Sequence, residues 1–156
     1  MVNQCIPQIE IIFTSIIAII VMNVFMCIAD YTDIKSMKIY NKFNLIFLIS
    51  RVIMLPFLPF SMNFVLGGGL IFMVFLAIGM ITLNPMAGDI KYGGVLGLWF
   101  GFWPAVIVVG LSLVYTLIYR AIMKLLGKSK FVVPHAPFFH LAYLSLLGYY
   151  FLMLYK

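Results

Sequence analysis

Charged side chains are scarce in this chain of 156 residues, and acidic ones are the scarcest. Only 9% of the residues are charged, whereas soluble domains carry about 25%. Hydrophobic residues make up 65% of the chain, more than the core of a soluble domain of this length can hold. These proportions argue against a soluble globular protein. They predict an all-α, polytopic membrane protein, because helices satisfy their own backbone hydrogen bonds in lipid.

Cysteine and signal-peptide patterns are also missing. Cys5 and Cys27 lie far apart and form no C-x-x-C pair, so the sequence contains no zinc or redox motif. The apolar N-terminal stretch lacks the basic region of a cleavable signal peptide and is too long for one. We therefore interpret that stretch as a true membrane span.

The apolar runs have the lengths needed to cross a bilayer, whose core of about 30 Å requires roughly 20 helical residues. The stretch from Ile90 to Tyr119 is too long for one crossing, and Pro104 predicts a break at 101–104. Six transmembrane helices result: 11–29, 43–60, 64–83, two within 90–119, and 138–154. We expect residues 1–156 to form one membrane-embedded domain. Gly93, Gly97 and Gly101 recur every four residues and predict a close helix contact.

Basic residues predict the orientation in the membrane. The positive charges outside the spans cluster in three loops, at Lys35, Lys38, Lys42, Lys91, Arg120, Lys124, Lys128 and Lys130. The loops near Ser61 and Phe102 carry none, and only Lys156 falls on their side. By the positive-inside rule, loops 30–42, 84–91 and 120–136 are cytoplasmic and both termini lie outside the plasma membrane. The net charge of +6 is thus a topology signal, and we expect no nucleic-acid partner.

The few acidic residues are the candidates for chemistry. Of the four, Glu10 is predicted at the external end of the first span, whereas Asp30, Asp33 and Asp89 fall on the cytoplasmic side. An ionisable group at the hydrocarbon boundary is costly and is a functional candidate by default. The simpler interpretation is that the aspartates balance nearby lysines.

A repeated tripeptide favours the functional interpretation. Asp-Ile-Lys occurs at 33–35, with Asn41 eight positions after the aspartate, and again at 89–91, directly after Gly88. Segment 33–41 resembles the first active-site motif of the type IV prepilin peptidases, in which an Asp and a basic residue precede Ile-Pro-Asn. Gly88-Asp89 resembles their Gly-x-Gly-Asp signature, shared with presenilin-type proteases. Segment 134–138 resembles the entry to their last helix.

The resemblance implies a function. No cysteine-bearing domain precedes Asp33, so the chain resembles the short, peptidase-only members without a methyltransferase domain. Such members are membrane aspartic endopeptidases that remove the short basic leader of type IV pilin-like precursors at the cytoplasmic face. The expected partners are those precursors and the lipid bilayer, while the oligomeric state is not indicated. The implied catalytic residues are Asp33 and Asp89, with support from Gly88, Lys35, Lys91 and Asn41.

Two positions depart from the motifs. Tyr40 stands where proline is usual, and Met86 stands where the signature has its first glycine. A methionine side chain occupies space that glycine leaves open to a substrate backbone.

The chemistry expected of the pair needs no metal or organic cofactor. Two neighbouring carboxylates share a proton and activate a water between them. Helix dipoles favour Asp89 as the ionised base and Asp33 as the acid, because Asp89 opens a helix and Asp33 lies near the end of one. Asp30 is the alternative to Asp33, but the spacing to Asn41 favours Asp33.

Other polar residues receive simpler expectations. His135 and His140 are predicted to be a loop histidine and a packed helix histidine. For Arg51, partners at a backbone carbonyl or an acid, or a helix kink, all stay open.

Two other functions stay open. The chain could be a non-catalytic assembly factor that binds leader peptides, an interpretation that Met86 supports. A small ion or proton transporter is the other, although the acids gather at one surface rather than at the midplane where such sites form.

Overall fold

The fold of the described residues is entirely helical. The computed structural model describes residues 16–56, 58, 61–82, 87–128 and 133–154. Their helices are α1 (Ile16–Ser36), α2 (Asn41–Ile53), α3 (Met62–Thr82), α4 (Ala87–Phe100), α5 (Phe102–Leu125) and α6 (Ala136–Leu154). Within these ranges the predicted all-α class is confirmed.

The helices differ in whether they can cross a bilayer. Helices α1, α3, α5 and α6 are long and apolar enough to do so. Helices α2 and α4 have 13 and 14 residues. They rise only about 20 Å at roughly 1.5 Å per residue, against a bilayer core of about 30 Å. The chain is thus a multi-pass membrane protein, while the six crossings and the external termini stay predictions.

Helix α1 extends further than expected. The predicted span ended at Ala29, but the helix continues through Asp30 and Asp33 to Ser36. The predicted loop 30–42 therefore shrinks to residues 37–40. The prediction was wrong there because it ended the helix where the apolar run ends. Both aspartates have partners on α6, which stabilise them inside the bundle.

Other predicted boundaries also deviate. The second predicted span, 43–60, was too long, because helix α2 ends at Ile53 and a turn follows it. Helix α5 continues to Leu125, well into the predicted loop 120–136. The break between α4 and α5 occurs at Gly101, as predicted, with φ of 75°. Glycine adopts this left-handed conformation without steric cost. The Gly101 amide still donates to the Gly97 carbonyl at 2.9 Å, so the chain turns without losing that hydrogen bond.

Glycines let α3 and α4 pack backbone against backbone. A Cβ atom on Gly67 would lie 2.5 Å from the carbonyl carbon of Gly101 and 2.7 Å from the Gly97 oxygen. A Cβ on Gly93 would lie 2.7 Å from Ile71 Cγ2. The close contact predicted for this glycine stripe is therefore confirmed. It holds α4, which carries Asp89, rigidly against a membrane-length helix.

Arg51 is buried at the end of α2 and bonds to backbone carbonyls. Its Nε donates to the Leu98 carbonyl at 3.0 Å, and Nη1 donates to the Leu58 carbonyl at 3.1 Å. The guanidinium lies over the Phe64 ring, 4.7 Å from its centre. Of the alternatives left open by the sequence, the backbone-carbonyl interpretation is confirmed. Arg51 fastens α2 to the far end of α4.

Candidate active site

Asp33 lies in the last turns of α1, where it caps a different helix. Its side chain is only 4% exposed, and Oδ2 accepts a hydrogen bond of 2.9 Å from the backbone amide of Ala136. The backbone amide of His135 also donates to it. These amides open α6, where they have no partner within the helix. Their hydrogen bonds favour the anionic form of Asp33 against the opposing effect of burial, and they join the end of α1 to the start of α6.

Asp89 lies in the first turn of α4, outside the four membrane-length helices. Burial raises the pKa of Asp89 to about 6, and the negative charge of Asp33 contributes to the increase. The two carboxylates are therefore close enough to influence each other's ionisation. This arrangement can hold one shared proton near neutral pH.

The surroundings favour a different proton distribution from the one expected from helix dipoles. Asp33 receives amide hydrogen bonds from the start of α6, whereas the pKa of Asp89 is raised by burial. Burial also opposes an ionised Asp33, but the amide hydrogen bonds offset part of that effect, so Asp33 is the more readily ionised of the two. A helix dipole acts from each residue's own helix, which local sequence predicts. The effect of α6 is not predictable in this way, because α6 reaches Asp33 from elsewhere in the chain.

Gly88 brings the backbone of another segment close to Asp89. A Cβ atom at Gly88 would lie 2.5 Å from the carbonyl oxygen of Ile39, in the loop that follows α1. On the α2 side, Asn44 Nδ2 donates to the Gly88 carbonyl at 3.1 Å. Any side chain at position 88 would push the α1–α2 loop away. Glycine there thus sets the distance between the two motif segments.

The other supporting residues lie on different sides of the site. Lys91 Nζ donates to Asn41 Oδ1 at 3.0 Å, which links α4 to the first residue of α2. Lys35 instead donates to the Tyr31 hydroxyl at 3.1 Å, on the exposed side of its own helix. Identical tripeptides therefore place their lysines differently. Lys91 belongs to the wall of the site, and Lys35 faces away along α1.

A cavity of about 260 Å³ opens beside Asp89. Its walls are the α1–α2 loop and the first turn of α4, with lining residues Met37, Lys38, Ile39, Tyr40, Asn41, Ala87, Gly88 and Asp89. A larger, mostly apolar groove of about 540 Å³ runs between α2, α3 and α4. Asn41 lines both, so the polar cavity beside Asp89 adjoins the apolar groove.

Asp30 is directed away from this pocket. Its Oδ2 lies 2.5 Å from His140 Nδ1 on α6. The charge that acts on Asp89 is that of Asp33. The geometry thus brings Asp33, and not its alternative, towards Asp89. The sequence does not predict the pairing of Asp30 with His140. The two residues are 110 positions apart, and their contact depends on the relative rotation of α1 and α6.

His135 contributes its backbone rather than its ring. The ring lies edge-on against Phe75, with 6.3 Å between ring centres. Burial lowers the pKa of His135, and the positive charge of Arg120 adds to the decrease. A neutral imidazole is thereby favoured next to the helix start that caps Asp33. As predicted, His135 lies outside a helix, directly before α6.

Met86 and Glu10 lie outside the described residues. In the described ranges, no group of three or more His, Cys, Asp or Glu side chains is placed to hold a metal ion.

Comparison with known proteins identifies the family. The type IV leader peptidase family matches residues 11–121, which include both Asp-Ile-Lys segments. Searches of curated proteins and of solved structures give no match. The family match covers more than half of the 156 residues. The chain therefore belongs to the type IV leader peptidase family.

Proposed function

We propose that the chain is a membrane aspartic endopeptidase that removes the short basic leader of type IV pilin-like precursors at the cytoplasmic face. The observation that carries the proposal is the electrostatic interaction between Asp33 and Asp89, from two segments far apart in the sequence. Paired carboxyl groups that share a proton are the machinery of aspartic peptidases. Membership of a leader peptidase family supports the same chemistry.

In the proposed mechanism, the two carboxyl groups divide the proton transfers. Ionised Asp33, held by the Ala136 amide, takes a proton from a water as its oxygen attacks the scissile carbonyl carbon. Protonated Asp89 donates its proton to the carbonyl oxygen. The tetrahedral intermediate collapses when Asp89 takes that proton back and Asp33 protonates the leaving amine. The carbon–nitrogen bond then breaks, and both side chains return to their starting states.

The cavity and the groove suggest where the substrate lies. The polar cavity at Asp89 has the size for a few extended residues around the scissile bond. The apolar groove between α2, α3 and α4 continues from it along the bundle. A precursor whose apolar helix follows a polar leader would match this change from polar to apolar surroundings. The predicted cytoplasmic position of the loops puts the cut outside the bilayer core.

Co-expression tests this function directly. A pilin-like precursor is produced in cells without another leader peptidase, together with this chain or its Asp89→Asn variant. We expect a faster-migrating product with the natural chain only, whose new N-terminus is mapped by sequencing. Asparagine keeps the shape of the side chain but cannot hold the shared proton. Cleavage by the Asp89→Asn variant at equal protein levels would contradict the proposal.

The assembly-factor function predicts a different result. Met86, at the position of the first signature glycine, is the observation that favours it. In that case the precursor co-purifies with the chain but keeps its leader. A transporter would instead produce proton flux in reconstituted vesicles without any precursor present. Cleavage, co-purification with an uncleaved precursor and proton flux therefore distinguish the three functions.

A further inference from the structure

A ladder of polar contacts joins α1 to α6 below the Asp33 cap. One helical turn before Asp33, Asp30 Oδ2 lies 2.5 Å from His140 Nδ1. On the other side of the ring, His140 Nε2 lies 3.3 Å from Asn23 Oδ1. The side chains of His140 and Asp30 are only 12% and 20% exposed. Because α1 and α6 are both membrane-length helices, an uncompensated charge in this ladder would be energetically unfavourable.

The hydrogen bonds fix how many protons the ladder holds. Asn23 Nδ2 donates to the Ile19 carbonyl at 2.8 Å, so the oxygen of the Asn23 amide faces His140. His140 Nε2 must therefore carry a hydrogen. A ring nitrogen and a carboxylate oxygen at 2.5 Å also require one proton between them, since two lone pairs would repel. Whichever atom holds that proton, Asp30 and His140 together have no net charge.

Neutrality matters because of where Asp30 lies. Asp30 and Asp33 are three residues apart on one helix, hence on neighbouring positions of the same surface. The charge of Asp30 acts on Asp33. It also acts on the buried hydroxyl of Tyr92, on the helix that carries Asp89. An unpaired Asp30 would add a third negative charge beside the two proposed catalytic carboxyl groups.

We propose that His140 is a positioning residue that neutralises Asp30 and ties α6 to α1, so that Asp30 adds no negative charge beside the two proposed catalytic carboxyl groups. This inference rests on the proposed peptidase function. His140 lies four residues after Ala136, so the same helix carries both the cap of Asp33 and the partner of Asp30. The two contacts form successive rungs between antiparallel helices.

The other titratable groups around the ladder come from several elements. They are Cys27 and Asp33 from α1, Tyr92 and Asp89 from α4, Arg120 from α5, His135 directly before α6, and Tyr143 from α6. Arg120 acts on His135. Tyr143 hydrogen-bonds to Asn23. Within the described residues, Asp30 Oδ1 and the Tyr92 hydroxyl have no hydrogen-bond partner. His140 is thus the group that compensates Asp30.

The test is the pH dependence of precursor cleavage by the purified full chain and three variants. In His140→Gln, Asp30 loses its compensating partner, and the basic limb of the profile should move up by about one pH unit. In Asp30→Asn the limb should stay at the natural position. The double variant should return the limb to that position, because the extra carboxyl group is gone.

A purely structural role predicts a different pattern. Loss of the contact between α1 and α6 would lower the cleavage rate of His140→Gln without moving the basic limb of its pH profile. Adding Asp30→Asn in the double variant would not restore that rate. Either an unmoved limb in His140→Gln or an equally shifted limb in the double variant overturns the inference.

Thermal unfolding decides the inference even if no precursor is cleaved. A buried negative charge without a partner destabilises the fold, and such charge forms as pH rises. His140→Gln should therefore lose thermal stability between pH 5 and pH 8 more steeply than the double variant. Equal pH dependence of the two variants contradicts the inference. A natural chain that fails to cleave contradicts only the proposed function.

Discussion

Asp33 and Ala136 are 103 residues apart in the chain, yet the carboxylate of one accepts a hydrogen bond of 2.9 Å from the backbone amide of the other. This bond gives Asp33 a structural task as well as the proposed chemical one. The two tasks respond differently to substitution, because an amide oxygen can still accept the hydrogen bond but cannot take up a proton.

Asp33→Asn should therefore separate folding from catalysis. We expect thermal stability close to that of the natural chain and a cleavage rate at least about 100-fold lower. Asp33→Leu should also lose about 1–3 kcal/mol of stability, because it leaves the buried amides of α6 without an acceptor. Tyr31→Phe, at an exposed position on the same helix, is the control. Substantial cleavage by Asp33→Asn would remove Asp33 from the proposed mechanism.

The difference in stability between Asp89→Asn and the natural chain should depend on pH in a defined direction. The pKa of Asp89 is raised from 3.8 to about 6 by burial and the charge of Asp33. Its contribution to stability is full below pH 3.8 and is lost as pH rises through about 6. Asparagine does not titrate, so the variant should match the natural chain near pH 4 and melt at a higher temperature at pH 8. A difference in melting temperature that does not change with pH would contradict the raised pKa.

Gly88→Ala tests the close approach of the two motif segments. The new Cβ would lie 2.5 Å from the Ile39 carbonyl oxygen, so the loop must move away from Asp89. We expect a destabilisation of about 1–3 kcal/mol and a large loss of cleavage. Gly110→Ala is the matched control, because a Cβ there meets nothing within 4 Å. If both alanine variants behave alike in melting and cleavage assays, the Ile39 contact is not needed.

Met86→Gly should raise the cleavage rate without changing the cleavage position. Methionine is flexible and can swing aside at modest cost, so the natural chain should be active but slow. Added backbone freedom should also lower thermal stability somewhat. Time courses at matched protein levels provide the comparison. A lower rate in the variant would show that methionine is accommodated, and an inactive natural chain rescued by glycine would favour the assembly-factor function.

Cysteine labelling tests the predicted orientation. Leu126 follows α5 and is 66% exposed, in predicted loop 120–136, which carries more positive charges than either of the other two predicted cytoplasmic loops. In a background with Cys5 and Cys27 replaced by serine, Leu126→Cys should resist a membrane-impermeant reagent in intact cells. It should react readily once the membrane is opened. Labelling in intact cells would reverse the predicted sides.

Local sequence features predicted the helices and the break between them. Apolar length gave the six helices, and Pro104 gave the break that occurs at Gly101. Such features depend on residues close together in the chain. The end of α1 was predicted too early because Asp30 and Asp33 read as loop residues, although partners on α6 stabilise them in a helix.

The site shows the same limit. The repeated tripeptide identified both aspartates of the candidate pair, but it suggested equivalent roles for Lys35 and Lys91. Lys35 lies in the last turn of α1 and contacts Tyr31, whereas Lys91 lies near the start of α4 and contacts Asn41. No local sequence pattern predicts that His140 is the partner of Asp30, because this contact depends on how α1 and α6 face each other.

The short length of α4 has a consequence for the surrounding lipid. Its 14 residues rise about 21 Å at roughly 1.5 Å per residue, and Arg51 binds the backbone near its far end. As one of the six predicted crossings, α4 would require a bilayer core of about 30 Å to thin around it, at a cost of fractions of a kcal/mol per Å of mismatch. The neighbouring membrane-length helices cannot remove this mismatch, because α4 is fixed to α3 by its glycines. The proposed cleavage activity should thus depend on acyl-chain length, with shorter-chain lipids favouring the packed arrangement of α2 and α4.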